Sequence, residues 1–535
     1  TSCVVNECII EFNHHGVYVH GGAGGTTIGD PGSADGNWID GNSGHGVYIA
    51  GTTTSHSLVR ANRIGTKDGE TASWNDGDGV RIEDAPETDI RDNLISGNKG
   101  HGVHVTGTNA ADGSIQGNVI GLDRTGMRPL DIGGRGTPNG NQGHGIHIDG
   151  SPGTDIGGDT PAARNTISGN AGDGVHVLGE GAAGTRISGN YIGTDQDGDS
   201  RNGTVEDAPP AGNGARGINL EDAVGCQVGV SGLGAGNVIS ANGAGIRIGG
   251  TASTGNVVDG NYIGTDKTGE WALPNGIGIG LVDTGGNTIG GTSDTARNII
   301  SGNSGAGIYV LRQTTERPEL EPNTIVGNWI GPAVSGEAPP LYRNYGFDPE
   351  PRRNAGGIWI KNAANTLIGG EEEGTGNLIA FNGDEDHRVS GVKIEGDATG
   401  CAILGNSIHS NVPYGIDLGG DGATMNDPQD SDTGPNERQN YPIISGRDAS
   451  GTVSGTLKSQ PGTTYRLEFF DNVESIGQGE TFLVAIDAAT NAEGLAAFAV
   501  GLAEAQGQIS ATATDPDGNS SEFSLPTLIV NRTGD

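Results

Sequence analysis

The 535-residue sequence is poor in four things: cysteine, with four residues, lysine, with six, aromatic side chains, at 4%, and long apolar runs. Each scarcity excludes something. Cys3, Cys8, Cys226 and Cys401 are too few for a disulfide framework and match no zinc-ligand spacing, and only Cys3 and Cys8 are close enough in sequence to pair locally. No stretch approaches the roughly 20 apolar residues that span a bilayer, so a transmembrane helix is not expected. The opening TSCVVNECII has neither the basic start nor the apolar core of a signal peptide, which reads as a mature form or a cut piece. Positive charge is scarce too: 29 Lys and Arg face 66 Asp and Glu, a net charge of -37. Nucleic acid binding through phosphate neutralisation would have to overcome that field. An acidic, lysine-poor surface instead suits concentrated salt, where self-repulsion is screened, and points to a salt-loving source.

What is abundant is glycine, 101 residues without a G-X-Y period, so a collagen triple helix is excluded. Two short patterns alternate along the chain. N-x-I-x-G-N begins at Asn37, Asn93, Asn165, Asn237, Asn298 and Asn377; G-N-x-I-G places its asparagine at Asn118, Asn190, Asn261 and Asn328, with Asn62 in a looser copy. Each is followed by G-[VI]-x-[VI], as at Gly102 and Gly145. Apolar residues alternate within these segments, Val103 and Val105 flanking His104, which is the period of a strand. A unit this small cannot bury its own apolar face, so stacking unit on unit is the way to a core. The recurring asparagine fits the same reading, because identical amides about 4.8 Å apart in a parallel stack hydrogen-bond along the column. The neighbouring glycine supplies the positive φ of a tight corner.

Runs such as GNYIGTDKTGEWALPNGIGIG and ARNIISGNSGAGIYV resemble the right-handed parallel β-helix repeat proteins of microbial surfaces, the pectin-lyase-like fold. The resemblance covers about residues 1–420. It implies a fold, which hosts lyases, hydrolases, epimerases, adhesins and tailspikes alike. The tail differs: segments such as GTVSGTLKS, TTYRLEFFDN and GLAAFAVGL, and finally SEFSLPTLIV, read as about six strands of a small antiparallel β-sandwich. The expected organisation is therefore all-β: a parallel β-helix over 1–420, an acidic cap or linker over 421–440 and a β-sandwich module over 441–535. The chain opens in mid-repeat, so further N-terminal rungs or a partner are expected to cover that edge.

Insertions on a solenoid collect on one face, and that face is usually the binding face. The longest excursions, over 66–78, 122–144, 194–216, 265–277 and 332–356, all follow the same strand type and should wall a groove. Its floor would be the outward residues of G-[VI]-x-[VI]: Tyr18, Tyr48, Arg81, His104, His147, His176, Asn219 and Arg247, then Tyr309, Trp359 and Lys393. Rings and cations at strand spacing suit sugar rings, hydroxyls and carboxylates. Arg216 would reach in from the loop side, as would Arg343 and Tyr345 of LYRNYGFDPEPRR. A second histidine set, His15, His45, His101 and His144, precedes the strand glycine, with Asp78 and Asp173 in equivalent places; with His104, His147 and His176 nearby a metal site is conceivable, but repetition alone accounts for the set and no cysteine or carboxylate falls into a compact cage. Asp123, Asp195 and Asp266 in G-[TL]-D-x-x-G read as turn formers. Asp421, Asp427, Asp430 and Asp432 form an oxygen-rich cluster suited to calcium, the one cofactor considered and not a required one. The reading is a secreted or cell-surface β-helix with a polysaccharide-binding face, non-catalytic; the alternative is a polysaccharide lyase or glycoside hydrolase working in the long-loop groove.

Overall fold

A computed structural model describes residues 3–29, 36–130, 140–199, 212–230, 236–314, 320–342, 350–383, 389–473 and 477–525. They form two compact units, one of Thr1–Ser304 with Pro340–Arg352, the other of Gly305–Pro339 with Arg353–Asp535. No α-helix occurs among the described residues.

In the first unit each coil contributes one strand to each of three parallel sheets. Strands run in register coil after coil, as Leu94–Ile95 on Val119–Ile120 and Val103–Thr106 on Ile146–Asp149. Inward positions form continuous columns, one of them Ile39, Ile64, Ile95, Ile120, Ile167 and Ile192, all fully buried. At about 25 cal/mol per Å² this shared core is what holds units too small to fold alone.

Two asparagine ladders run up the unit at the sheet corners. In one, each amide from Asn37 through Asn62, Asn93, Asn118, Asn165, Asn190, Asn237 and Asn261 donates to the next, ending at Asn298, at 2.9–3.1 Å. The other runs from Asn13 to Asn303 at 2.8–3.3 Å. Both sequence motifs feed the first ladder. The second alternates motif asparagines, such as Asn98 and Asn170, with Asn75, Asn141, Asn213 and Asn275, which end the long loops and carry no motif. The repeat is therefore a pair of coils, one with a tight corner and one with a loop. Gly97 and Gly121 at the corners have φ of 81° and 93°, as expected. The strand glycines answer to close approach: a Cβ at Gly102 would lie 2.6 Å from the Gly145 carbonyl and 2.8 Å from both Asn141 and Ile120.

The second unit holds further coils of the same kind, with strands such as Ala306–Leu311, Gly356–Lys361 and Val392–Glu395 in register. It ends in a sandwich of two three-stranded antiparallel sheets. Ile443–Arg447, Thr452–Lys458 and Leu495–Gly501 form one; Thr481–Ala489, Thr464–Asn472 and Gln508–Thr514 form the other. Leu457, Tyr465, Phe469 and Phe498 fill the space between. The sixth strand is Ile443–Arg447 rather than the expected SEFSLPTLIV. That segment's described part lies beside Gln508–Thr514 without becoming a strand, Ser521 and Ser524 donating backbone bonds to Ala513 and Ala511.

The sandwich also covers the edge of the last coil. Gln478 continues the second unit's ladder by meeting Asn411 with both ends of its amide, at 2.9 and 3.4 Å. Glu468 accepts the Gly405 N–H at 2.9 Å, and Ser520 accepts that of Ile403 at 2.9 Å. From the segment before the sandwich, the Asn436 side chain accepts from Cys401 and donates to its carbonyl. These bonds satisfy backbone groups that an exposed parallel edge would leave unpaired.

Glu522 accepts the N–H groups of Leu418 and Thr424 at 2.9 and 2.8 Å, and burial raises its pKa to about 7 against these bonds. Its folded pKa lies above its unfolded value near 4.5, so its stabilising contribution is complete below pH 4.5 and is lost as pH rises through 7. The shift corresponds to about 3 kcal/mol. Melting followed from pH 5 to 8 should therefore fall more steeply in the parent than in Glu522→Gln; parallel curves would show that the carboxyl does not titrate in this range.

Candidate functional site

The long loops leave one corner of the first unit, between the second and third sheets, and stack on one another. Arg124 donates its N–H to the Gly69 carbonyl at 2.7 Å, Gln196 to Gly126 at 2.9 Å, Lys267 to Gly198 at 2.9 Å and Leu341 to Glu270 at 3.0 Å. Each contact bridges loops two coils apart, and Arg124 adds an ion pair to Glu70 at 2.7 Å. Asp123, Asp195 and Asp266 close the turns by accepting N–H groups two residues on. The wall also carries Trp74 and Trp271, which belong to no repeat motif; a tryptophan in each of two equivalent loops is the signal the sequence offers.

Beside the wall the outward column of the third sheet is in register: Tyr18, Tyr48, Arg81, His104, His147, His176, Asn219 and Arg247 occupy successive strands. Its three stretches differ. Tyr18 and Tyr48 stack at 4.8 Å, with Tyr18 49% exposed. The imidazoles of His104, His147 and His176 pack edge to face at 4.9 Å, and His147 is only 8% exposed. Above them Arg247 donates to the Asn219 side chain at 3.2 Å and has no carboxylate partner among the described residues, while Arg216 lies 3.5 Å from Asp173. In the second unit Tyr309, Trp359 and Lys393 share an equivalent column. Trp359 lies 5.0 Å from Tyr309, donates to Glu395 at 3.0 Å and carries the Lys393 ammonium 5.1 Å from its ring. Arg343 and Tyr345 lie outside the described residues.

The residues preceding the strand glycine form a third ladder. His15 Nδ1 accepts the His45 N–H, His45 that of Asp78, Asp78 that of His101, His101 that of His144, His144 that of Asp173 and Asp173 that of Arg216, all at 2.8–3.1 Å. A ring that accepts at Nδ1 carries its proton on Nε2 and is neutral. Burial agrees, lowering the pKa of His45 and of His144 to about 4. Asp78 is the opposite case: bonds from His104 and the His101 N–H outweigh its burial and hold it near 2.

The acidic cluster divides. Asp427, Asp430 and Asp432 bring one oxygen each within 4.8 Å of the others, whereas Asp421 pairs with Arg438 at 3.1 Å. Burial raises Asp430 to about 6.

The stacked parallel sheets, with a family model for the right-handed beta helix region matching residues 273–427, make this chain a right-handed parallel β-helix. A second model, described as periplasmic copper-binding protein (NosD), matches residues 1–121. Among solved structures it is similar to the periplasmic alginate epimerase AlgG, at 14% identity and a TM-score of 0.34 over 69% of this chain and 64% of that one. The tailspike gp42 of Acinetobacter phage vb_AbaP_AS12 follows at 11% identity and 0.30, over 93% and 79%. Tailspike protein 3 of bacteriophage CBA120 stands at 11% and 0.27, over 70% and 53%. The chain thus spans less than two thirds of the epimerase. A search of curated proteins finds no match. No helix among the described residues is long and apolar enough to cross a membrane.

Proposed function

We propose that the protein binds an acidic polysaccharide outside the cytoplasm, along the strip between the stacked loops and the outward column, and that it binds without cleaving. The observation that carries this reading is Arg247. In a chain with 66 acidic and 29 basic residues, this outward guanidinium has, among the described residues, an asparagine oxygen and no carboxylate as its side-chain partner. A uronate carboxylate is the partner such a fork fits. Arg216, half-engaged by Asp173, offers a second cation one coil below Arg247's, and the tyrosine and tryptophan rings offer faces for pyranose stacking. The histidines support a rigid floor more than a proton-transferring one, since His144 and His176 are committed to neighbours at both nitrogens. Arg343 and Tyr345 belong to the same proposal from the loop side. For the trio Asp427, Asp430 and Asp432, calcium is the cation an all-oxygen set suits.

A glycan array read with the parent and with the double variant Arg216→Ala, Arg247→Ala tests this. Binding to a uronate-containing glycan should fall by about 100-fold, two charge-assisted bonds' worth, with melting essentially unchanged. Undiminished binding would move the site elsewhere. Release of unsaturated or reducing ends by the parent, stopped by the same change, would replace binding by catalysis.

A further inference from the structure

The clustered imidazoles of the first unit fall into two chemical classes. His101 and His144 give Nδ1 to a backbone N–H of the next coil, which places their protons on Nε2. His144 passes its Nε2 proton toward His176 Nδ1 at 3.1 Å, and His176 in turn donates Nε2–H to Glu221 at 3.2 Å. None of these three rings keeps a lone pair for a ligand. His104 and His147 are different. Nε2 of His104 and Nδ1 of His147 are buried without a hydrogen-bond partner among the described residues. Both residues point outward from adjacent strands, and Asp149 points the same way two residues beyond His147. His104, His147 and Asp149 each bring one potential ligand atom within 4.8 Å of the others.

We infer that His104, His147 and Asp149 form a binding site for a late first-row divalent cation such as zinc. Two imidazoles and one carboxylate are a three-ligand set of the kind that leaves a fourth position open, with bonds of about 2.0–2.2 Å once the side chains close on the ion. A hard oxygen-seeking cation is not what two orphan imidazole nitrogens select. The set comes with its orienting partner. Asp78 Oδ2 lies 3.2 Å from His104 Nδ1, and as a carboxylate it can only accept, so it holds the proton on Nδ1 and leaves Nε2 as the lone pair. Arg81 Nη1 lies 3.0 Å from the same nitrogen, but the Arg81 guanidinium has its own acceptors in Asp78 at 3.5 Å and Glu83 at 3.2 Å. The sequence hid the site because Asp149 reaches His104 only through strand register, 45 residues along the chain. The inference does not rest on glycan binding, whose cations, Arg216 and Arg247, stand apart from these ligands.

The test is metal uptake by the whole chain. After incubation with zinc chloride and desalting, the parent should retain one zinc, and cobalt(II) in its place should give the visible absorption of a low-coordinate nitrogen and oxygen site. His147→Ala and Asp149→Ala should each weaken uptake at least about 10-fold, while His176→Ala, which removes a ring with no free lone pair, should leave it intact. Circular dichroism of each variant without metal separates loss of ligands from loss of fold. No stoichiometric zinc and no cobalt spectrum in the parent would overturn the site outright. So would uptake that survives Asp149→Ala and disappears in His176→Ala, which would assign the metal to His144, His147 and His176 instead.

Discussion

Asn98→Ala will lower the stability of the first unit by about 3 kcal/mol, whereas the same change at Asn13 will cost well under 1 kcal/mol. The difference follows from position in one ladder. Asn98 is fully buried, accepts from Asn75 at 2.9 Å, and donates to Asn141 at 2.8 Å and to the Ile64 carbonyl at 3.3 Å. Alanine leaves one Asn75 amide N–H without a partner where water does not reach, at about 1–3 kcal/mol, and also removes the bonds to Asn141 and to the Ile64 carbonyl, which keeps the Ser96 N–H. Asn13 begins the column in exposed surroundings, where solvent replaces what is lost. Thermal melting by circular dichroism reads both. Equal shifts at the two positions would mean that the amides only shape corners.

Sodium chloride should raise the melting temperature on the order of 10 °C between low salt and molar salt. The net charge of -37 is held by a compact stack, where like charges stand closer than in the unfolded chain even though register seats Asp89 beside Leu58 and Ser114, and Asp155 beside Ser114 and Arg186. Ion pairs relieve only part of this, and many join exposed groups, as Arg60 with Asp92 at 2.8 Å, which are worth little in water. Screening shortens the Debye length to about 3 Å at 1 M and removes the surplus repulsion. Equal responses to sodium and potassium chloride would assign the gain to screening. A melting temperature that is flat or falls with added salt would remove the argument for a salt-loving source.

The coil, its strand period and its asparagine column were legible because each repeats locally: N-x-I and G-[VI]-x-[VI] carry their own period. The corner at which the long loops leave was legible for the same reason. What was not legible depends on neighbours in space. Asn75, Asn141, Asn213 and Asn275 sit behind loops of unequal length, so no fixed spacing marks them as ladder members. His15, His45, Asp78, His101, His144 and Asp173 showed as a recurring set, but that each accepts the next coil's N–H requires knowing which backbone lies above it. The contacts of the tail were hidden for the same reason: its sandwich strands alternate clearly, while the bonds of Glu468, Gln478 and Glu522 to the last coil join residues 63 to 104 positions apart.

Whether the strip beside the stacked loops is the binding face is tested most directly by hydrogen exchange of the whole chain with and without a uronate oligosaccharide bound. Protection concentrated in 66–78, 122–130, 194–199 and 265–277, together with the strands Arg216–Glu221 and Ala244–Gly249, is the predicted result. Protection confined to the first sheet or to the C-terminal sandwich, with those loops unchanged, would contradict it.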